Sequence, residues 1–416
     1  MNIPPQTPQN PPSPLESDTG KIRVMLCDDS AIIRGLIART LESDPEIAVV
    51  ASVQNGQVAL NTLARARPEI IILDIEMPEM DGMTALPALL ERNPNLKIIM
   101  CSTLTEKGAR ITMEALQMGA VECIAKPTST RIAGSNSDFQ RQLLSLVKGL
   151  GRSSHTNRIV SRPHSSASAP LNAPSPPSHA QASKPSYPTT HSTPHARSAT
   201  AGHGGTNAQT SKQNIFSLYD DRNAWKGKPD ILAIGSSTGG PQALFQVMKH
   251  CTGFQIPIVI TQHMPATFTK ILAQHIEQQS HVPTHEGENG MVLENGHAYV
   301  APGGFHMVFE KSGTQTKIRL TEDPPENFCR PSVDPMLRSA IALHGKKVLA
   351  IILTGMGQDG LKGCLDLVKN GGRVAAQDEP TSVVWGMPGA VAMAGICSEV
   401  LPLHEIGTWI RRNVLQ

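Results

Sequence analysis

The 416-residue chain is long enough for two or three domains and at least one large core. With 37 Lys and Arg against 35 Asp and Glu, and only 3% aromatic residues, it has neither the charge nor the stacking surface that implies nucleic acid or an anionic membrane. Its seven cysteines include no CxxC pair, its opening text does not read as a secretory leader, and no apolar run approaches the ~20 residues of a membrane span, so reduced thiols in a cytoplasmic protein are expected.

Residues 1–20 are Pro-rich and polar and are expected to be a disordered tail. A first domain is expected over residues 21–150. Its apolar runs IRVMLC, EIIILDI, KIIMCS and VECIAK alternate with helical text, which argues for a parallel sheet covered by helices. A helix near 138–149 closes it.

The first of these strands ends in Cys27-Asp28-Asp29-Ser30, and another ends at Asp74, followed by Ile75-Glu76-Met77-Pro78. Ligands gather beyond the carboxyl ends of strands in an open parallel sheet, so Asp28, Asp29 and Asp74 should converge there. Carboxylates that close repel one another unless a cation sits among them, and hard oxygen donors with room for water and phosphate suit Mg²⁺. KIIMCS brings Ser102 to the same edge, and VECIAK brings Lys126, followed by Pro127. A hydroxyl and an ammonium beside a metal-bound carboxylate are what phosphoryl transfer onto that carboxylate needs. A single acid at a strand end is commonly a helix cap; the joint pattern carries the reading.

Residues 21–130 resemble a response-regulator receiver domain. The resemblance implies a flavodoxin-like doubly wound sheet, Asp74 as phosphoacceptor and Asp28 and Asp29 as the Mg²⁺ pair. It further implies the Glu76 backbone carbonyl as a ligand, Ser102 as the switch hydroxyl, with Thr103 its neighbouring alternative, and Lys126 as the phosphate contact.

Residues 151–228 read as a disordered Pro/Ser/His-rich linker, with no Asp or Glu from 151 to 214. Its histidines follow no metal-ligand spacing. Residues 229–416 form a second alternating block, with strand candidates DILAIG, IPIVITQ, HAYVAP, KIRLT, KVLAIILTG, RVAAQ and SEVLPL. Helices are expected at 241–251, 267–279, 333–344 and 361–370, and a hairpin near 297–321 around EKSGTQ.

DILAIG runs into GSSTGGP, the two sharing Gly235. A phosphate-binding P-loop needs Lys after Gly240, where Pro241 stands, and a dinucleotide fingerprint needs glycine at Ser237. Both fail. Gly235-Ser236-Ser237-Thr238-Gly239 does match G-x-S-x-G, a serine turned out between strand and helix. Such a serine needs a base, and the base an orienting acid. His263 follows IPIVITQ and so reaches the same sheet edge. Asp359, after KVLAIILTG in a glycine-shaped loop, is the favoured acid, with Asp378 after RVAAQ competing. This chain order, Ser, His, Asp, disfavours an α/β-hydrolase. A metal site at His281 and His285 is disfavoured because Pro283 interrupts any helix that would align them.

The motifs IGSSTGGP, TQHMP, APGG, FCRPSVDPM, ILTGMGQDG and VVWGMPGAV together resemble the chemotaxis protein-glutamate methylesterases. The resemblance implies an α/β catalytic domain with a mostly parallel sheet, Ser237 as nucleophile, His263 as base and Asp359 as its orienter. Thr238 and Met356 would support the oxyanion. It implies hydrolysis of γ-glutamyl methyl esters on chemoreceptors, deamidation of receptor glutamines, a histidine kinase as phosphodonor, and no cofactor for the esterase. Ser236 stands where the family usually has alanine, and the linker is longer than usual. The competing class is a receiver-controlled, non-catalytic adaptor that docks on receptors. The occupied triad positions argue against it, and the absence of helix-turn-helix text or a basic face argues against a transcription factor.

Overall fold

The computed structural model describes residues 20–102, 105–126, 136–160, 218–219, 225 and 227–415. The tail expected over 1–20 lies outside them apart from Gly20, as do Thr103 and the linker positions 161–217.

The N-terminal unit alternates strand and helix: β1 (Ile22–Cys27), α1 (Ala31–Glu42), β2 (Ile47–Val53), α2 (Gly56–Ala66), β3 (Ile70–Asp74), α3 (Gly82–Arg92), β4 (Lys97–Ser102), α4 (Glu106–Gln117) and β5 (Glu122–Ala125). The strands pair in parallel in the order β2-β1-β3-β4-β5. Every residue of β3, IIILD, is buried, as a strand with helices on both faces requires. The turns after the strands start helices on side-chain caps, with Ser30, Asn55, Asp81 and Thr105 each accepting a backbone N–H.

A helix α5 runs over Asn136–Val160, past the boundary at 150. No proline occurs between 151 and 162, so composition alone ended it too early. The other side of the expected linker is also shorter than the sequence suggested. Tyr219 N–H donates to the Cys397 carbonyl (2.8 Å) and Trp225 N–H to the Gly371 carbonyl (3.0 Å), so both lie against the C-terminal unit ahead of residue 229.

That unit holds β6 (Ile231–Ser236), α6 (Gly240–Met248), β7 (Ile258–Gln262), α7 (Ala266–Ser280), β8 (Thr284–Glu286), β9 (Ala298–Val300), β10 (His306–Ser312), β11 (Gln315–Thr321), α8 (Val333–His344), β12 (Val348–Ile352), α9 (Leu361–Lys369), β13 (Arg373–Gln377), α10 (Met387–Met393), β14 (Glu399–Leu401) and α11 (Leu403–Leu415). Seven strands form a parallel sheet in the order β14-β13-β12-β6-β7-β9-β8. The chain leaves β6 toward β7 on one side and returns to β12 on the other. A crevice therefore opens at the carboxyl ends of β6, β7 and β12. The hairpin differs from expectation in its first strand. HAYVAP supplies β9 of the parallel sheet, and β10, HMVFEKS, is the strand that pairs antiparallel with β11.

The two units touch. Helix α4 packs against α7 and α6, which sets the α4–β5 turn against the first turn of α6 at Gln242.

Candidate active sites

In the N-terminal unit, the loops after β1 and β3 bring Asp28, Asp29 and Asp74 together, with one oxygen from each within 4.8 Å of the others. Asp28 and Asp74 are buried and Asp29 is exposed. Lys126, just past β5, sets its Nζ 2.6 Å from Asp74 Oδ2 and 3.4 Å from Asp28 Oδ2. Burial, reinforced by the charge of Asp28 and opposed by Lys126, pushes Asp74 up to about 6. One ammonium does not neutralise three carboxylates, and an all-oxygen donor set of this charge fits Mg²⁺. Ser102 ends β4 and is buried at the same edge, its carbonyl accepting from Lys126 N–H at 2.8 Å. Glu76 lies two residues beyond Asp74 in the β3–α3 loop with its side chain exposed.

In the C-terminal unit, β6 runs out at Ser236 and the chain turns through Ser237, Thr238 and Gly239 into α6. Gly239 takes φ +75°, a conformation that glycine enters without strain. The two serines face different surroundings. Ser236 is fully buried and donates to Gln262 Oε1 at 2.7 Å. Ser237 is partly exposed, and its N–H donates to the Thr354 carbonyl at the end of β12. Gly355 packs against it so closely that a Cβ there would lie 2.8 Å from Ser237 Cβ.

His263, past the end of β7, sets Nε2 2.8 Å from Asp359 Oδ2. Asp359 is 1% exposed and richly served. Its oxygens accept from Asn327 Nδ2 (2.9 Å), Ser332 Oγ (2.7 Å), and the N–H groups of Val333 (2.6 Å), Asp334 (3.2 Å) and Gly360 (2.9 Å). Burial alone would raise its pKa, but His263 and these donors hold it down at about 2. For His263, burial works against the charged form, and the hydrogen bonds to Asp359 and Cys329 overcome it, lifting the imidazole to about 10. The other ring nitrogen, Nδ1, lies 3.4 Å from Cys329 Sγ. Asp378, the alternative acid, instead accepts from Thr381 N–H at 3.1 Å and from the Thr381 hydroxyl.

Thr238 is buried, and its carbonyl accepts from Thr354 Oγ1 at 2.9 Å. Met356 follows Gly355 and is partly buried beside Gly149 of α5. His281 ends α7 in a left-handed conformation, and His285 Nε2 lies 3.1 Å from His297 Nδ1. Among the described residues only the Asp28, Asp29 and Asp74 group is placed to hold a metal ion.

Sequence reasoning missed Asn327, Ser332 and Cys329. FCRPSVDPM stood out as a motif, yet nothing in its spacing tied it to Asp359. It also missed Glu122 of β5, whose Oε1 accepts from Cys123 N–H at 3.0 Å and whose carboxyl is pushed up to about 7 by burial.

Residues 232–410 match the family model described as CheB methylesterase, and residues 24–132 match the response regulator receiver domain. A protein-glutamate methylesterase/protein-glutamine glutaminase of Rhodospirillum centenum is 51% identical, covering 94% of this chain and 93% of the relative. One of the same name from Azospirillum brasilense is 52% identical, covering 97% and 96%. The solved CheB methylesterase catalytic domain of Thermotoga maritima is 39% identical, covering 45% of this chain and 99% of that one, with a TM-score of 0.43.

Proposed function

This chain belongs to the CheB methylesterase family, and we infer that it is a protein-glutamate methylesterase and protein-glutamine glutaminase in which Ser237, His263 and Asp359 do the chemistry. The observation that carries the assignment is the buried 2.8 Å His263–Asp359 pair at the sheet edge where Ser237 is turned out.

Ser237 Oγ attacks the γ-carbonyl of a glutamyl methyl ester while His263 takes its proton at Nδ1, the nitrogen not held by Asp359; that nitrogen must turn from Cys329 Sγ to reach the serine. The negative charge that develops on the carbonyl oxygen is met by backbone N–H groups at the Thr238 and Met356 turns. His263 then returns the proton to the departing methoxide, and methanol leaves an acyl-enzyme. Water, deprotonated by His263, cleaves that ester and frees the glutamate. A glutamine follows the same path with ammonia as leaving group. Asp359 fixes the ring and stabilises the imidazolium. Asn327 and Ser332 act through Asp359 and are positioning residues.

In the receiver, Asp28, Asp29, Asp74 and the Glu76 carbonyl would hold Mg²⁺, which offsets the charge of an incoming phosphoryl group. Asp74 then accepts the phosphoryl group from a histidine kinase, Lys126 pairs with it, and Ser102 reads it out. The substrates are chemoreceptors, and the protein works in the cytoplasm. No helix among the described residues is long and apolar enough to cross a membrane. The non-catalytic adaptor reading has no support in the relatives, which carry enzyme names. Ser237→Ala should abolish methanol release from methylated receptor membranes; retained release would remove the nucleophile assignment.

A further inference from the structure

Gln262 ends β7 one residue before the base, with its side chain fully buried. An amide shut away from water must find partners, and this one finds them in both catalytic turns. Its Oε1 accepts from Ser236 Oγ at 2.7 Å. Its Nε2 donates to the Ser237 carbonyl at 2.9 Å and to the His263 carbonyl at 3.3 Å. Those two carbonyls fix which way the amide faces, since the flipped group would set Oε1 against both of them. The fit is close, and a Cβ at Gly240 would collide with Oε1.

The Ser237 carbonyl matters because of the group at the other end of its peptide. In a planar trans peptide the C=O and N–H point in opposite directions, so whatever holds the Ser237 oxygen also aims the Thr238 N–H. The neighbouring groups of the turn are bonded. Ser237 N–H donates to the Thr354 carbonyl at 3.0 Å, and the Ser237 carbonyl accepts a second bond from Gly240 N–H at 2.7 Å. The Thr238 carbonyl accepts from Thr354 Oγ1 at 2.9 Å. The Thr238 N–H makes no hydrogen bond among the described residues, although Thr238 is only 3% exposed. A buried backbone donor in that state is rare, and it suits a site where negative charge appears only during the reaction.

We propose, resting on the esterase reading above, that Gln262 is a positioning residue for the oxyanion, its Nε2 pinning the Ser237–Thr238 peptide so that the Thr238 N–H stays turned toward the charge developing on the substrate carbonyl. The bond from the same nitrogen to the His263 carbonyl ties the backbone of the base to that of the nucleophile. Fully buried, Gln262 touches no substrate. It acts by denying one peptide the freedom to rotate, so the donor is in place before the reaction needs it. Ser236 bonds only the amide oxygen and leaves both carbonyl contacts to Gln262 itself.

Two variants of similar bulk test this in the full-length chain. Methanol release from methylated receptor membranes is measured with a phosphodonor, and denaturant titration reports the folded fraction. Gln262→Met loses both donors. Gln262→Glu keeps an acceptor for Ser236 and, once ionised, sets negative charge against two carbonyls. Removing an oxyanion donor outright costs about 10²–10³ in kcat; Gly240 N–H still holds the Ser237 carbonyl, so each variant should lose about 10–100-fold in kcat with KM unchanged.

The pH profile separates positioning from packing. A buried carboxyl has a raised pKa, and its protonated form regains an O–H donor for the Ser237 carbonyl. The ratio of Gln262→Glu to wild-type kcat should therefore climb as pH falls, and the ratio for Gln262→Met should stay flat. Titration of His263 is common to variant and wild type and divides out. A merely structural Gln262 would lower the denaturation midpoint of both variants and leave the kcat of folded protein near the wild-type value. That result, or a Gln262→Glu ratio that ignores pH, overturns the proposal while leaving the esterase standing. If Gln262→Glu does not fold, the kcat of Gln262→Met decides alone. No methanol release from phosphorylated wild type would instead overturn the esterase reading.

Discussion

Ser236 and Ser237 are adjacent hydroxyls with opposite duties. Ser236 is buried and holds Gln262, whose Nε2 in turn donates to the Ser237 carbonyl at 2.9 Å. Ser236→Ala leaves a buried amide oxygen without its donor, so we expect a loss of about 1–3 kcal/mol in unfolding free energy with most of the esterase rate retained. Ser237→Ala should do the reverse, keeping the denaturation midpoint and losing methanol release. Denaturant titration and esterase assay on the pair check this; a dead Ser236→Ala with a live Ser237→Ala would shift the nucleophile by one residue.

The base gives a second prediction. The protonated form of His263 gains Asp359 at one nitrogen and Cys329 at the other, which is why its pKa stands near 10. Cys329→Ala removes part of that gain. The pKa falls, the neutral base persists to lower pH, and the acid limb of the kcat/KM profile moves down. Asp359→Asn should move it the same way while cutting kcat on the order of 10³–10⁴-fold. An acid limb that moves up in Cys329→Ala would contradict the assignment. Ser237, His263 and Asp359 stand out in the sequence because each lies in the turn or loop that follows a buried strand, and the structure brings His263 and Asp359 together. Asn327 and Cys329 do not stand out. They lie in an irregular loop where Asn327 and Phe328 both have positive φ, and that loop is held by Asp334 and Asp359 from elsewhere in the chain rather than by any local pattern.

At the scale of elements, the strands and helices of both sheets follow from apolar runs and caps, and each misreading has its own cause. Composition alone ends α5 near 150, whereas the helix runs to Val160 and the proline-rich text begins only at Pro163. The first hairpin strand, HMVFEKS, was passed over because the neighbouring HAYVAP is the more apolar run. The contact between α4 and the pair α6 and α7 was invisible to periodicity, since polar Gln117, Gln242 and His275 mediate it. Gln242 is the donor whose loss should loosen it most simply. One net hydrogen bond is worth about 1 kcal/mol, so Gln242→Ala should raise the unphosphorylated esterase rate about fivefold and leave the phosphorylated rate alone. Equal rates in variant and wild type without phosphodonor would show that this contact does not hold the closed state.

Across the whole molecule, the receiver lays its phosphoacceptor edge and its docking edge on the same few elements. Lys126, which pairs with Asp74, follows β5 directly, and Glu122 begins β5. A change at Asp74 therefore has one four-residue strand to cross before it reaches the α4–β5 turn that Gln242 holds. Asp74→Asn should abolish Mg²⁺-dependent, acid-labile phosphate incorporation and hold the esterase at its basal rate, as read by phosphate labelling beside methanol release. The most direct measurement of the central claim is methanol release from methyl-labelled receptor membranes by the full-length protein, with and without a phosphodonor and Mg²⁺. Wild type should release methanol and accelerate on phosphorylation, Asp74→Asn should stay at the basal rate under both conditions, and Ser237→Ala should release none. Release by Ser237→Ala, or phosphodonor-driven acceleration in Asp74→Asn, would contradict the account.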